Sequence, residues 1–344
     1  MARTYAEAGV DIRAGDEFVS RIRDKVRSTF TDSVLSDIGA FGAFYNGSFP
    51  GVRDPVLVSS VDGVGTKLKV AFLMEKHDTI GQDLVNHCVN DIAVCGARPL
   101  FFLDYFAAGK LLPQIAEEVV TGMVKACREN GCSLIGGETA EMPGFYRENE
   151  YDLAGAIVGL VDRKKMFDGK KVKAGDVLLA LPSTGLHTNG YSLARDILFE
   201  KFEADDFIDD VGMRLGESLL AIHRSYLKPI QAVSSSREVH GFAHITGGGI
   251  VGNTSRVIPS DCTLSIEWKR WERPAIFRLI QTTGNVPEEE MRRTFNLGVG
   301  LVIIVTKRGV SVVVKLLREM GEQPFPIGEV VEKHTVTQHP KRQS

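Results

Sequence analysis

Apolar positions along the chain follow two spacings, which predicts a mixture of helices and strands. Segments with apolar residues three and four apart predict helices, and short apolar runs that precede glycine-rich loops predict strands. Because both patterns recur throughout, the predicted fold class is α/β or α+β. The predicted helices are Asp16–Phe30, Asp83–Cys95, Pro113–Glu129, Gly190–Glu200, Ile250–Val257, Pro274–Gln281 and Val310–Met320. The predicted strands are Val56–Val58, Phe101–Phe106, Cys132–Ile135, Asp152–Val161, Val177–Leu181 and Phe242–Ile245.

A polar stretch between two predicted strands, residues 162–175, marks a domain boundary. It carries six lysines and arginines, and such a charged run is typical of an exposed connection. A chain of 344 residues also suits about two domains. We therefore predict an N-terminal domain over residues 1–168 and a C-terminal domain over residues 169–344. The polar tail from His334 onward has no apolar periodicity and is expected to fray.

Composition excludes several classes of protein. The 41 basic and 44 acidic residues give a net charge of −3, which argues against a nucleic-acid binder. Five cysteines without zinc-ligand spacing indicate reduced thiols. No apolar run approaches the roughly 20 residues that span a bilayer, so no membrane association is predicted. We expect a cytoplasmic protein.

The segment Ser59–Lys67 has the composition of a phosphate-binding turn. Gly63 and Gly65 let the backbone amides point in one direction, and Thr66 and Lys67 open the next helix. Asp62 stands at the end of the preceding strand, where a carboxylate suits Mg²⁺. The spacing is not that of a Walker A loop, and an ordinary strand-turn-helix junction is an equal alternative.

Four carboxylates in glycine-rich or apolar surroundings predict a cation site. Asp104 lies inside a strongly hydrophobic strand, where a charge needs a partner or a metal ion. Asp91 shares a predicted helix, and one side of it, with Asp83, Asn86 and Asn90. Each acid alone is more simply a helix cap or an ion-pair partner. The four candidate ligands are Asp62, Asp91, Asp104 and Glu138.

Two loops in the second half carry groups that suit a phosphorylated ligand. Ser183–Gly190 places hydroxyls, the amide of Asn189 and the imidazole of His187 in one turn, although a helix cap explains Thr188 or Asn189 as well. Thr246–Gly249 forms an anion site or a hinge. His244, in the strand before it, is either packed or functional. Phosphate-binding loops in both halves predict two phosphorylated ligands, a nucleotide and a substrate.

Eight segments taken together are far more specific than any one of them. The order of these segments along the chain resembles that of the phosphoribosylformylglycinamidine cyclo-ligase family, also called the aminoimidazole ribonucleotide synthetases. The resemblance extends from Thr4 to Val330. The segments are Tyr5–Asp11, Asp62–Leu68, Val89–Ile92, Pro99–Tyr105, Gly136–Gly144, His187–Leu193, His244–Gly249 and Thr294–Gly300.

The resemblance implies an enzyme of purine biosynthesis that closes the imidazole ring of formylglycinamidine ribonucleotide. It implies ATP and Mg²⁺ as cofactors, with aminoimidazole ribonucleotide, ADP and phosphate as products. It also implies a homodimer. The N-terminal α/β domain contributes strands to a barrel shared with its mate, and a C-terminal α/β domain completes the cleft.

The resemblance also implies roles for the residues in these motifs. Lys67, His187 and Asp91 are the catalytic candidates, and Gly9–Asp11 is a lid. The nucleotide phosphates are assigned to Asp62, Gly63, Val64, Gly65, Thr66 and Lys67. The metal ion is assigned to Asp62, Asp91, Asp104 and Glu138. The substrate is assigned to Thr188, Asn189, Thr246, Gly247, Gly248 and Gly249.

Two other readings compete with the cyclo-ligase: another ATP-using enzyme of the same superfamily, such as a selenophosphate synthetase or a thiamine-phosphate kinase, and a non-catalytic nucleotide-binding protein. A selenophosphate synthetase is expected to have a reactive cysteine in its N-terminal segment, yet no cysteine precedes Cys88. A thiamine-phosphate kinase lacks the strings at Gly137–Pro143 and His187–Leu193. A non-catalytic nucleotide-binding protein tolerates loss of Asp62, Lys67 or Glu138, and all three are present.

Overall fold

The computed structural model describes residues 9–39 and 41–333. The first four residues of the Tyr5–Asp11 motif and the predicted tail from His334 lie outside the described residues. Within the described ranges, no helix has the length and apolar character needed to cross a membrane.

The described residues of the first half of the chain form four α-helices and four strands. Helix α1 begins after Asp11, whose side chain accepts a hydrogen bond from the backbone N–H of Arg13. Pro113 occupies the first turn of α4, where its missing N–H is not needed. The elements are α1 (Ile12–Arg27), β1 (Pro55–Gly63), α2 (Leu68–Leu73), α3 (Asp78–Ala93), β2 (Arg98–Ala108), α4 (Pro113–Asn130), β3 (Ser133–Glu141) and β4 (Tyr151–Asp162).

The four strands form one sheet in the order β1-β4-β2-β3. Strands β2 and β3 are parallel and the other neighbours are antiparallel. Helix α3 packs on one face, where Phe102 and Ile157 are fully buried. On the opposite face Leu57 and Val61 stay 61% and 71% exposed. The first sheet therefore has one covered face and one open apolar face.

The second half of the chain forms a second, wholly antiparallel sheet in the order β8-β10-β5-β11-β9. Strand β10, which lies between β8 and β5, is buried at every position. The elements are β5 (Val177–Pro182), α5 (Tyr191–Leu198), β6 (Phe207–Ile208), β7 (Met213–Arg214), α6 (Leu215–Leu219), α7 (Leu227–Ser234), β8 (Val239–His244), α8 (Gly249–Thr254), β9 (Cys262–Ile266), α9 (Ala275–Gly284), α10 (Glu288–Thr294), β10 (Val299–Val305), α11 (Val310–Glu319) and β11 (Phe325–Glu332).

The mixed α/β class is confirmed, and each predicted helix has a counterpart within a few residues. The prediction that a loop starts at Gly136 is wrong, because parallel pairing with β2 extends β3 through Glu141. The first sheet ends at Asp162 and the second begins at Val177. The domain division at residues 1–168 and 169–344 stays a prediction.

Candidate functional site in the cleft between the two sheets

The glycine turn after β1 lies directly against the turn that precedes α5. Gly65 has φ +62°, a conformation that a glycine adopts without strain. The hydroxyl of Thr66 lies 3.0 Å from the hydroxyl of Ser192. Two segments more than 120 residues apart in sequence therefore lie side by side.

Lys67 does not face this groove. Its ammonium is fully buried, 2.8 Å from Oδ2 of Asp83, and donates a 2.7 Å hydrogen bond to the carbonyl of Ala221. Burial lowers the pKa of Lys67 and raises that of Asp83, while each partner opposes the shift in the other. In this geometry the predicted phosphate contact of Lys67 is absent, because the side chain joins the two halves of the chain instead.

Helix α3 presents its polar side to the second half of the chain. Asp83 accepts a 2.7 Å hydrogen bond from the backbone N–H of His223, and the amide of Asn86 donates to the carbonyl of the same residue at 2.8 Å. Asn90 donates to the carbonyl of Arg224 and accepts from the N–H of Tyr226. These contacts satisfy the backbone of an irregular segment and fix it against the helix.

Four buried imidazoles meet where α3, the α5 turn and β8 converge. We call His87, His187, His223 and His244 the histidine cluster. Nε2 of His223 lies 2.9 Å from Nε2 of His244. The hydroxyl of Thr188 lies 2.9 Å from Nδ1 of His87 and 3.3 Å from Nδ1 of His223. Burial lowers the pKa of His187, His223 and His244, so these rings are neutral near pH 7.

Two carboxylates border the histidine cluster. Oδ2 of Asp62 lies 2.9 Å from Nε2 of His87, and Oδ1 of Asp91 lies 2.8 Å from Nδ1 of His244. Burial opposes ionisation of both acids. The imidazole of His87 nevertheless holds the pKa of Asp62 below its usual value, and His244 does the same for Asp91. Both carboxylates are therefore charged at neutral pH and remain partly open to solvent.

His187 lies behind the other imidazoles and has no exposed surface. Its ring stacks on that of His223 with 4.0 Å between centroids, and its Nε2 accepts a hydrogen bond from the backbone N–H of Thr184. Its Nδ1 is buried and has no partner among the described residues. The predicted proton carrier is thus enclosed between the two halves of the chain.

The second glycine loop lies next to the α5 turn. A Cβ added to Gly247 would lie 3.1 Å from Oδ1 of Asn189, so the two loops are in close contact. Asn253 holds the glycine loop by donating to the carbonyls of Thr246, Gly247 and Gly249. Nδ2 of Asn189 is buried and lacks a partner within the described ranges. Predicted substrate residues from both loops are therefore brought together.

Asp104 and Glu138 are not in this group. Both line a separate cavity of about 910 Å³ between α1, Tyr45 and strands β2 and β3, and among the described residues neither Asp62 nor Asp91 lines it. Burial of its carboxyl raises the pKa of Asp104 to about 7. Within one chain the four carboxylates therefore do not gather at one place, because Asp104 and Glu138 line this cavity and Glu138 lies on β3, at the opposite edge of the sheet from β1. Their role as cation ligands stays a prediction.

The segment proposed as a lid borders the same cavity. The carboxylate of Glu141 accepts a 2.6 Å hydrogen bond from the backbone N–H of Asp11 and a 2.8 Å bond from that of Leu111. A Cβ added to Gly9 would lie 2.9 Å from Cβ of Pro143. The start of α1 is thus tied to the end of β3, beside the cavity lined by Asp104 and Glu138.

Two residues of the site were absent from the sequence-based prediction. His87 stands four residues before Asp91 on α3, and this spacing places both on one helix face, which is a usable signal. His223 lies between α6 and α7 in a segment without regular structure, so nothing in its local sequence indicates its position.

Comparison with models of known protein families gives the class of protein to which this chain belongs. Models of the AIR synthase related protein match this chain in tandem, the N-terminal domain over residues 50–161 and the C-terminal domain over residues 173–339. The two-sheet chain is therefore an AIR synthase related protein.

Curated relatives narrow the class to one family. A phosphoribosylformylglycinamidine cyclo-ligase from Thermoanaerobacter pseudethanolicus is 49% identical over 330 residues, which cover 95% of this chain and 97% of that protein. One from Syntrophotalea carbinolica is 50% identical over 329 residues, or 95% of this chain and 94% of the relative. The chain belongs to the phosphoribosylformylglycinamidine cyclo-ligase family.

Solved structures with low sequence identity share the fold. HypE from E. coli superposes with a TM-score of 0.67 at 19% identity and covers 94% of this chain and 92% of its own. A thiamine-monophosphate kinase from Stenotrophomonas maltophilia gives 0.66 at 14% identity, with coverage of 91% and 93%. A hydrogenase maturation protein HypE in complex with ATP gives 0.64 at 20%, with coverage of 92% and 85%.

Proposed function

We propose that this chain catalyses the ATP-dependent ring closure of formylglycinamidine ribonucleotide to aminoimidazole ribonucleotide in purine biosynthesis, a role that suits a cytoplasmic location. The observation that carries the proposal is the contact between the Thr66 turn and Ser192 at the start of α5, with the ionised carboxylates of Asp62 and Asp91 beside them. Relatives of nearly equal length carry this activity in their names.

The chemistry needs an activated carboxamide. An amide oxygen is a poor leaving group, and transfer of the terminal phosphoryl group of ATP converts it to a phosphate ester. The amidine nitrogen then attacks the same carbon, the ring closes and phosphate departs with the original oxygen. Such a reaction depends on positioning and on neutralisation of charge more than on covalent help from the protein.

The donor set of Asp62 and Asp91 fits a hard divalent cation that arrives with a nucleotide. Both carboxylates are ionised and partly open to solvent, and Mg²⁺ prefers one or two carboxylates together with substrate phosphates. When bound, Mg²⁺ neutralises phosphate charge. We retain Asp104 and Glu138 as candidates for a cation only in the separate cavity that they line.

The remaining predicted residues position the two phosphorylated molecules. Backbone amides of Val64 and Gly65, together with the Thr66 hydroxyl, accommodate the nucleotide phosphates. The N–H of Gly63 donates a 2.7 Å hydrogen bond to Oδ1 of Asp62 and so orients that carboxylate. The exposed Gly247 and Gly248 accommodate the substrate phosphate, and Thr246 borders them. The buried, unpartnered Nδ2 of Asn189 is available to a substrate acceptor atom. Lys67 and His187 act by holding the cleft together.

The open face of the first sheet is the proposed homodimer interface. Leu57 and Val61 on β1 and Tyr105 on β2 are exposed apolar side chains on that face. A contiguous apolar sheet face is typical of an association surface. Pairing of two such sheets produces the barrel that the family resemblance implies.

The direct test incubates the chain with ATP, Mg²⁺ and formylglycinamidine ribonucleotide and follows the aminoimidazole product. We expect product and ADP in equal amounts. A parallel reaction with thiamine monophosphate as the acceptor tests the kinase alternative. Phosphoryl transfer to thiamine monophosphate, without aminoimidazole formation, would contradict the proposal.

A further inference from the structure

Two imidazoles and a carboxylate in the cleft are close enough to share one ion. His87, Asp91 and His244 each offer a ligand atom, and these atoms lie within 4.8 Å of one another. His87 and His244 are buried and Asp91 is partly exposed, so an ion has a path from solvent. Other residues in direct contact are Asp62, Ser60, Thr188 and His223.

The contacts around His87 leave a ring nitrogen for an ion. Its Nε2 is buried, lies 2.9 Å from Oδ2 of Asp62, and is without a well-formed hydrogen bond among the described residues. Its Nδ1 faces the hydroxyl of Thr188 at 2.9 Å, which fixes the orientation of the ring. A buried polar atom without an aligned partner is costly unless something else binds it.

Asp91 and His244, the other two candidate ligands, each contact a neighbouring polar side chain, as ligands in metal sites do. The hydroxyl of Ser60 donates to Oδ2 of Asp91 at 2.9 Å. One ring nitrogen of His244 faces Asp91, and the other lies 2.9 Å from Nε2 of His223. Hydrogen bonds to the groups behind the ligands orient metal-binding histidines and carboxylates.

We infer that His87, Asp91 and His244 form a site for a nitrogen-favouring divalent cation such as Zn²⁺ or Co²⁺, which binds without nucleotide. Two imidazoles with one carboxylate suit first-row transition ions, whereas Mg²⁺ prefers oxygen ligands. His87 and Asp91 come from α3 and His244 comes from β8, so the ion bridges the two halves of the chain. The site shares Asp91 with the proposed Mg²⁺–nucleotide site but does not depend on the proposed reaction.

The test titrates the metal-free, untagged full chain with Co²⁺ in the absence of ATP and substrate. We expect visible ligand-field absorption from one bound Co²⁺ per chain, loss of that absorption on addition of Zn²⁺, and its persistence in a large excess of Mg²⁺. We also expect Zn²⁺ to raise the thermal unfolding temperature. Absence of the absorption, or its displacement by Mg²⁺ as readily as by Zn²⁺, would overturn the inference.

Substitutions of histidines test where the Co²⁺ ion binds. His87→Gln is expected to weaken Co²⁺ binding at least about tenfold. The control His240→Gln alters another histidine–aspartate pair, His240 with Asp176, and should leave binding unchanged. The double variant His334→Gln/His339→Gln, outside the described residues, should also leave it unchanged. Equal binding by His87→Gln and wild type, or loss of binding in either control, contradicts the assignment.

If His87→Gln does not fold, His244→Asn takes its place with the same expected result. The measurement contains neither ATP nor ribonucleotide, so its outcome is separate from that of the cyclo-ligase assay. Metal binding without ring closure would refute the proposed function alone. Ring closure without Co²⁺ binding would refute the metal site alone.

Discussion

At the residue scale, Asp62 is the group that most directly links the fold to the proposed chemistry. We predict that Asp62→Asn lowers the rate of ATP turnover by about 10²–10³-fold, because a preorganised charge at the transferring phosphoryl group is lost. The midpoint of urea denaturation should stay near the wild-type value. The Asp62 side chain is partly exposed, and asparagine has nearly the same shape. The matched control is Asp54→Asn, which breaks an exposed ion pair with Arg163. Near-normal turnover by Asp62→Asn would refute the role of this carboxylate.

Lys67 is expected to matter for stability more than for phosphate contact. We predict that Lys67→Met lowers the free energy of unfolding by about 3–5 kcal/mol, because Asp83 is left buried and unpaired. Urea denaturation measures the effect. The double variant Lys67→Met/Asp83→Asn removes the stranded charge and should recover part of the loss. A single variant as stable as wild type would mean that the ion pair does not form.

At the element scale, close contact between α3 and α4 depends on two glycines. A Cβ on Gly81 would lie 2.0 Å from the carbonyl oxygen of Val119, and one on Gly122 would lie 2.2 Å from that of Asp78. We therefore expect Gly81→Ala to destabilise the protein by at least about 2 kcal/mol, because the helix backbones must separate.

The control for this prediction is Gly15→Ala in α1. A Cβ at Gly15 meets nothing within 4 Å. Replacing a helical glycine by alanine there should raise the free energy of unfolding by about 0.5–1 kcal/mol. Equal effects of the two substitutions in urea denaturation would rule out steric contact as the cause.

Local sequence patterns predicted the helices better than the strand limits. Pro113 marks the start of α4 because proline suits a first helical turn. The double glycine at Gly136–Gly137 suggested a loop, yet pairing with β2 keeps those residues in a strand. Strand β10 went unrecognised because Val299–Val305 is apolar throughout, and a strand buried on both faces has no alternation to detect.

The site was predictable only where its residues belong to motifs. Thr66 and Asn189 were identified by glycine-rich turns, and their loops do lie together. The position of His223 follows from tertiary contacts with Asp83 and Asn86, which no local pattern encodes. The separation of Glu138 from Asp62 follows from strand order, which the sequence pattern also leaves open.

At the scale of the whole molecule, the open face of the first sheet predicts self-association. Val61→Glu is expected to convert a dimer to monomers, because it places a charge on an apolar face at a position that is 71% exposed in the single chain. Sedimentation equilibrium measures the mass. The control is Val312→Glu in α11. This position is 52% exposed and lies in the second half of the chain, outside the first sheet, so the substitution should leave the dimer intact. A monomeric wild type, or equal behaviour of both variants, would contradict the interface.

In the proposed reaction the terminal phosphoryl group of ATP is transferred to the formamide oxygen of the substrate. Formylglycinamidine ribonucleotide labelled with ¹⁸O at the formyl oxygen reports on this transfer. One labelled oxygen should appear in the inorganic phosphate for each ring closed, as mass spectrometry of the phosphate would show. Release of the label as water, with unlabelled phosphate, would contradict the proposed transfer.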